Sequence, residues 1–370
     1  MSDNSNNAGS RKPPVNSQTS TIKVSADWLI DVLTRVFAGH GMPQQDARQV
    51  AQCLVEADMR GIHSHGSSRI NIYSERLKLG LVNPTPKIQV HQSASGTAIL
   101  DGDNGMGAVV GHYAAHTVAQ QAKQAGIAAI AIHNSNHFGI AAVYAETIVQ
   151  AGCFALVCSN SPPTMAPHGG SEPVFGTNPI ALGVPTAADG MLVTDMATSI
   201  VARGKIIRAT YEKTAIPCDW ALDAEGRHTT DPEAALAGVV LPFAGAKGSA
   251  IALFVDILAG VLTGANFGTH TPDLYRNLKD RSNIGHFMLA IDITRFQKTD
   301  SFYQRLSECL QMVHDCKAID ADEPVKLPGE IEATNRAKAL AFGIALPEDV
   351  IHALKQECAE LGIQFKLPEH

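Results

Sequence analysis

Between Ile127 and Thr198 the chain four times runs a short apolar stretch into a polar turn: IAAIAI into HNSNHFG, CFALVC into SNSPP, PIALGV into PTAADG, and MLVT into DMATS. Apolar runs this short, bounded by Gly, Pro, Ser and Asn, suit buried strands better than helices. Side chains at the ends of neighbouring strands converge readily. The chemistry is therefore expected where these four strands stop, and the rest of the chain is expected to be organised around them.

Composition narrows what that chemistry can be. With 370 residues, 45% apolar and 18% charged, the chain has the make-up of an ordinary globular protein, long enough for two or more domains. A formal charge of -7 and a pI near 6.1 argue against nucleic acid as a partner, because phosphate neutralisation needs clustered Lys and Arg. Seven cysteines with no CxxC spacing suit reduced thiols and a cytoplasmic location. No signal peptide is expected at the start of the chain. The longest apolar segment, Ala250 to Ala265, contains Asp256 and is short for a membrane span, so it reads as a buried helix.

Residues 1–20 are rich in Ser, Asn and Pro and predict a disordered tail. Ser25 can cap a helix carrying Trp28, Leu29, Leu33 and Val36 at helical spacing, ended by Gly39 and Gly41. A second helix is predicted from Pro43 to about Met59. These helices lead into RGIHSHGSSR. Here His65 lies between small neighbours, Ser64 and Gly66, and Arg69 shares its face if a helix starts at Ser67. Such a pair suits an anionic substrate: the guanidinium grips a carboxylate while the imidazole moves a proton. His63 alone reads more simply as structural.

The segment TAILDGDNGMGAVVG imitates a dinucleotide fingerprint, but its spacing is G-x-G-x-x-x-G, and the next strand ends in His133 and Asn134 where a ribose-binding acid is expected. It reads as a tight strand-to-helix turn. In HNSNHFG, Asn134 and Ser135 read as a turn, and His137 is expected at a helix start whose positive end keeps the imidazole neutral as a base. A reading from another class, a metal-dependent hydrolase or lyase, would use His133, His137 and a carboxylate, although no third ligand is specified. Asp195 either caps a helix from Ile200 to Glu212 or meets a ligand. Lys247, between Gly245 and Gly248 ahead of a helix from Ser249 to Leu262, favours an anion without matching a Walker motif.

Taken together, RGIHSHGSSR, SNHFG, FGTNPIALGVP, DMATS, ARGKI, IPCDWALDAEGRHTTDP, LPFAGAKGSAIALFVDILAGVLTGA and LPGEIE resemble, in this order, the type-2 malate/L-lactate dehydrogenase family, over about Ser25 to Leu346. The resemblance implies an α/β (α+β) chain with a non-Rossmann NAD(P)-binding fold: a largely antiparallel sheet flanked by helices, plus an N-terminal helical region. It implies NAD or NADP as cofactor, a small carboxylate substrate, and a homodimer with its active site near the subunit interface. It makes His137 and His65 the acid/base candidates, beside Ser64 and Arg69 for substrate. For the cofactor it points to Ser161, Thr177, Asn178, Asp195, Met196, Ala197, Lys247, Gly248, Gly329, Glu330 and Ile331. Residues 126–289 would then bind NAD(P), while 21–125, completed by 290–370, would serve substrate and dimerisation. The reaction implied is hydride exchange with a 2-hydroxy or 2-oxo acid, or alternatively reduction of a cyclic or N-alkyl imine acid.

Overall fold

The computed structural model describes residues 21–188 and 190–368, so the tail expected over 1–20 lies outside the described residues. The chain opens with β1 (Thr21–Val24), α1 (Ala26–Gly39) and α2 (Gln44–Met59). Ser25 Oγ accepts the Trp28 amide at 3.2 Å, which is the expected cap. Both helices bury the predicted stripe, with Leu29, Leu33, Val36, Val50 and Leu54 at 1% exposure or less. A helix does not start at Ser67. Two 3-10 turns, His63–His65 and Ser67–Arg69, come first, and α3 (Ile70–Lys78) follows. The cause is Asp58: its carboxylate takes the Ser67 N–H at 2.7 Å and the His63 Nδ1 at 3.0 Å, which folds the segment back on α2. Gly66 allows this approach, since a Cβ there would stand 2.0 Å from Asp58 Oδ1.

Next come β2 (Gln89–Ala94), β3 (Thr97–Asp101), α4 (Gly107–Ala125), β4 (Ile127–Ser135), α5 (Ala142–Gln150), β5 (Cys153–Ser159), β6 (Ile180–Pro185) and β7 (Met191–Met196). All four predicted strands are present. β4 runs on through Asn134 and Ser135, which were expected to turn, because Ser135 still pairs with Ile284. The glycine segment does make a strand-to-helix connection. Gly107 must be small, since a Cβ there would lie 2.2 Å from the Asn136 carbonyl oxygen.

A smaller lobe carries α6 (Arg203–Glu212), β8 (Ala221–Leu222), α7 (Pro232–Ala237), β9 (Val239–Val240) and α8 (Ala246–Asp256), the last continued by a π-helical turn at Ile257–Val261. The chain closes with β10 (Ile284–Asp292), α9 (Thr299–His314), α10 (Glu330–Phe342), β11 (Ile344–Pro347) and α11 (Glu348–Glu360). Seven strands form the main sheet in the order β2-β3-β4-β10-β5-β6-β7, and only the β3–β4 pair is parallel. The expectation of a largely antiparallel sheet flanked by helices is met. The helix around Ala250 to Ala265, expected to be buried, is not: Phe254 is 64% and Leu262 58% exposed.

The middle of the sheet hides one polar side chain. His286 on β10 has no exposure; its Nδ1 meets Ser159 Oγ and its Nε2 meets Ser135 Oγ, each at 2.8 Å, and Phe138 stacks on its face with centroids 4.2 Å apart. Burial pushes its pKa down to about 3. Below about pH 6.5 the unfolded chain therefore takes up a proton that the folded chain refuses, so stability is full above that pH and falls as pH drops toward 3. The expected loss is roughly 1.4 kcal/mol per pH unit for each such histidine. Urea unfolding of His286→Asn between pH 6.5 and 5 should show a slope shallower by about one proton than that of the natural chain. An unchanged slope would count against a neutral His286.

Candidate active site

The sheet brings three of the four predicted loops to one edge; the PTAADG turn after β6 lies at the other, where Pro185 pairs with Met191. β4, β5 and β7 end there, and β6 and β10 begin there, as the pairings Ser135 with Ile284, Ser159 with His286, and Met196 with Ile180 require. The 60–69 segment reaches this edge from the helical side. The rings of His65 and His137 stack with centroids 5.4 Å apart and planes 26° from parallel. Each imidazole is held through Nδ1: His65 by Ser64 Oγ at 3.0 Å, His137 by the Tyr73 hydroxyl at 2.6 Å and more weakly by the Gly139 N–H at 3.4 Å. Neither Nε2 has a protein partner among the described residues.

Burial, followed by the nearby Arg69 cation, pushes the pKa of His65 down to about 3. The same causes, with smaller contributions from His65 and His286, lower that of His137 well below the usual histidine range. His137 is therefore neutral, but not for the expected reason: the helix after it starts only at Ala142, and burial is the main cause. A hydroxyl both donates and accepts, so Tyr73 can hold either neutral tautomer of His137. One tautomer leaves Nε2 a base and the other leaves it an N–H donor.

Arg69 lies beside this pair. Its Nε donates to the Ser64 carbonyl at 2.7 Å, its Nη1 donates to the Tyr275 hydroxyl, and its guanidinium carbon sits 5.4 Å from the Tyr275 ring centre. No carboxylate pairs with it among the described residues. Gly204, at the start of α6, closes the other side, since a Cβ there would come within 2.9 Å of Ser64 Cβ.

The remaining candidates gather around the ends of β5 and β7. Asn178 is fully buried and committed to scaffolding: its Oδ1 accepts the Ser161 N–H at 3.1 Å and its Nδ2 donates to the Ala252 carbonyl at 3.0 Å. The Thr177 carbonyl takes both the amide, at 2.8 Å, and the hydroxyl, at 3.0 Å, of Thr198. Asp195 does not cap the helix that follows it, which starts later than expected, at Arg203. Its Oδ2 instead accepts the Ala142 N–H at 2.9 Å at the start of α5, because β7 ends against that helix. Burial raises its carboxyl to about 6. Lys247 sits within the first turn of α8 rather than ahead of it; its ammonium is exposed and meets no carboxylate among the described residues.

This edge fits a nicotinamide dinucleotide. Gly176 leaves Ser161 room, since a Cβ there would stand 2.0 Å from Ser161 Oγ. Gly248 lets α8 start against Phe243, whose carbonyl oxygen would be 2.2 Å from an added Cβ. Gly329 packs on the Val193 carbonyl, 2.6 Å from where its Cβ would be, and so brings Glu330 and Ile331 beside β7. Met196 and Ile331 expose apolar side chains and Lys247 an ammonium without a carboxylate partner among the described residues, groups suited to the aromatic and phosphate parts of such a ligand.

Residues 24–355 match the sequence profile of the malate/L-lactate dehydrogenase family. This chain belongs to that family. The L-sulfolactate dehydrogenase of Methanocaldococcus jannaschii is 37% identical over 91% of this chain and 96% of its own; the solved structure of the sulfolactate dehydrogenase from that organism superposes with a TM-score of 0.87 at 35% identity, covering 93% of this chain and 98% of its own. The ureidoglycolate dehydrogenase (NAD(+)) of Escherichia coli is 32% identical over 90% of this chain and 95% of its own. The delta1-piperideine-2-carboxylate reductase of Pseudomonas syringae pvar. tomato superposes at 0.82 with 32% identity, covering 91% of this chain and all of its own. Relatives named for NAD(+) and for NADP(+) both occur, and the chain is an NAD(P)-dependent oxidoreductase.

Within this malate/L-lactate dehydrogenase family member, His65, His137, Ser64 and Arg69 come together as the sequence suggested. His133 does not join them: it stands on β4 opposite Asp101. Among the described residues no group of three His, Cys, Asp or Glu side chains is arranged to hold a metal ion. Sequence reasoning missed Tyr73, Arg76 and Tyr275. The first two had a signal, because they follow Arg69 at i+4 and i+7, one face of a helix. Tyr275 had none. Replacing Tyr73 with Phe removes the hydroxyl that holds His137, and turnover per folded molecule should fall about ten-fold, the worth of one hydrogen bond, with cofactor affinity unchanged. Equal turnover in steady-state assays would remove Tyr73 from the site.

Proposed function

We propose that this oxidoreductase moves hydride between the nicotinamide of NAD(P) and C2 of a small 2-hydroxy or 2-oxo acid of the malate, lactate, sulfolactate or ureidoglycolate type. The observation that carries this reading is the pair of stacked neutral imidazoles, each with a free Nε2, beside an unpaired guanidinium. His137 and His65 are the groups to exchange the proton of the C2 oxygen. Arg69 holds the substrate carboxylate with Ser64 beside it, and so orients C2. When bound, the nicotinamide supplies or accepts the hydride. Ser161, Thr177, Asn178, Asp195, Met196, Ala197, Lys247, Gly248, Gly329, Glu330 and Ile331 would form or support its site within residues 126–289 and the 329–331 turn. Reduction of a cyclic imine acid is a second reading, favoured by the likeness to the piperideine-carboxylate reductase.

The test is a spectrophotometric screen of 2-oxo acids, 2-hydroxy acids and cyclic imine acids with both cofactors. On the best substrate, His137→Ala or His65→Ala should lower turnover by about 10² to 10⁴ without loss of melting temperature, as expected for a general acid/base. Lys247→Ala should weaken NAD(P) binding by about ten-fold or more, the scale of a charged hydrogen bond. Near-normal turnover in both histidine variants would reject the proton assignment.

We also infer a homodimer working in the cytoplasm. Support comes from the apolar ridge of Phe254, Val261 and Leu262 on α8 and its π-helical turn, a face outside the 21–125 and 290–370 regions expected to serve dimerisation, and from seven free thiols. Light scattering should give twice the chain mass, and Phe254→Lys should shift it toward the monomer; a natural chain that is monomeric and fully active would reject the dimer.

A further inference from the structure

Arg76 is the largest fully buried side chain described, with 1% exposure, and no carboxylate pairs with it among the described residues. Its guanidinium is spent on a single segment of chain. Nη1 donates to the Leu274 and Asn277 carbonyls at 3.3 and 2.9 Å, and Nη2 donates to the Asp280 carbonyl at 3.1 Å and to Ser282 Oγ at 2.8 Å. Nε is left without a partner. A buried cation without a counter-ion is costly to keep, and four donated bonds to one loop are a specific use for it.

The loop so gripped carries Tyr275, the side chain that bonds Arg69 and lies against its guanidinium. From the other side the loop is folded by Asp273 Oδ1, which accepts the Tyr275 and Arg276 amides at 2.8 Å, and by Asn277 Oδ1, which accepts the Lys279 and Asp280 amides at 3.1 and 2.9 Å. Those local turns set the loop's shape but not its place. Beside Leu274, which packs in the core, the buried fork of Arg76, held on α3 with Tyr73, ties that shape to the helix on which the site is built.

We propose that Arg76 is a positioning residue for the substrate carboxylate: by clamping the 274–282 loop onto α3 it fixes Tyr275 against Arg69 and so sets the geometry in which Arg69 receives the anion. The inference rests on the reading of Arg69 as carboxylate holder. Arg76 itself touches neither substrate nor cofactor and acts through Tyr275.

Steady-state kinetics and hydrogen exchange test it together. Arg76→Met should raise KM for the best 2-oxo acid about ten-fold or more while kcat changes by less than about three-fold and cofactor Kd stays constant, the pattern of lost ground-state binding. Arg76→Lys, which keeps the charge but not the fork, should recover part of the loss. Tyr275→Ala should raise KM by a similar factor, and the double variant should be no worse than either single one, because both act through one contact. A normal KM in folded Arg76→Met, or fully additive effects, overturns the proposal. If Arg76→Met does not fold, Arg76→Lys carries the same cycle. Hydrogen exchange needs no substrate: protection of amides 275–280 should fall in Arg76→Lys and remain in Tyr275→Ala, and unchanged protection in Arg76→Lys also overturns the clamp. Should the natural chain turn over no acid at all, the functional reading fails and exchange alone decides whether the clamp exists.

Discussion

The site depends on one contact between distant parts of the chain, the stack of His65 on His137. His137 belongs to the end of β4, and its place follows from sheet register and from Phe138 lying on the buried His286. His65 belongs to a turn that hangs from α2 through the Asp58 carboxylate. Glycine stands at both approaches, at Gly66 against the Asp58 carboxylate and at Gly107 against the backbone of the His137 loop. An added methyl at either place would be felt first in the distance between the two rings, because interiors packed at this density transmit displacement rather than absorb it.

That contact also fixes the electrostatics. Two imidazoles stacked beside a guanidinium cannot both be protonated, since each charge would be desolvated and would repel the others. Their neutrality is a product of the assembled site, not of either residue. It is reached by burial and by Arg69, where the sequence suggested the end of a helix. The free Nε2 atoms follow from the same packing, since Ser64 and Tyr73 occupy the Nδ1 positions. Arg69, left without a carboxylate among the described residues, has charge to spare for an anion.

Much of this was legible in the sequence, because short-range rules set it. The four strands, the Ser25 cap and the grouping of His65 with Arg69 follow from periodicity, capping and spacing, which need only neighbouring residues. What was not legible depended on long-range pairing. Whether Ser135 turned or stayed in β4 was decided by Ile284 on a strand much later in the chain. Asp195 found its helix in α5, which precedes it, and not in α6, which follows it, because the end of β7 lies against the earlier helix. Tyr275 entered the site on a loop whose course is set by a buried arginine.

The segment around Ala250 to Ala265 exposes a different limit. Apolarity all round a helix says that water should be excluded from it, and the sequence was read as excluding water by burial within the chain. One side of α8 does this through Ala252 and Val255, which pack on the rest of the chain, while Phe254, Val261 and Leu262 project outward. The same side-chain types serve a core and an interface, since both reward removal of apolar area from water. Composition cannot tell which of the two a helix serves, because that depends on how much of the helix surface the rest of the fold can reach. Here the β10 and β5 strands cover one side only, and the apolar remainder faces outward.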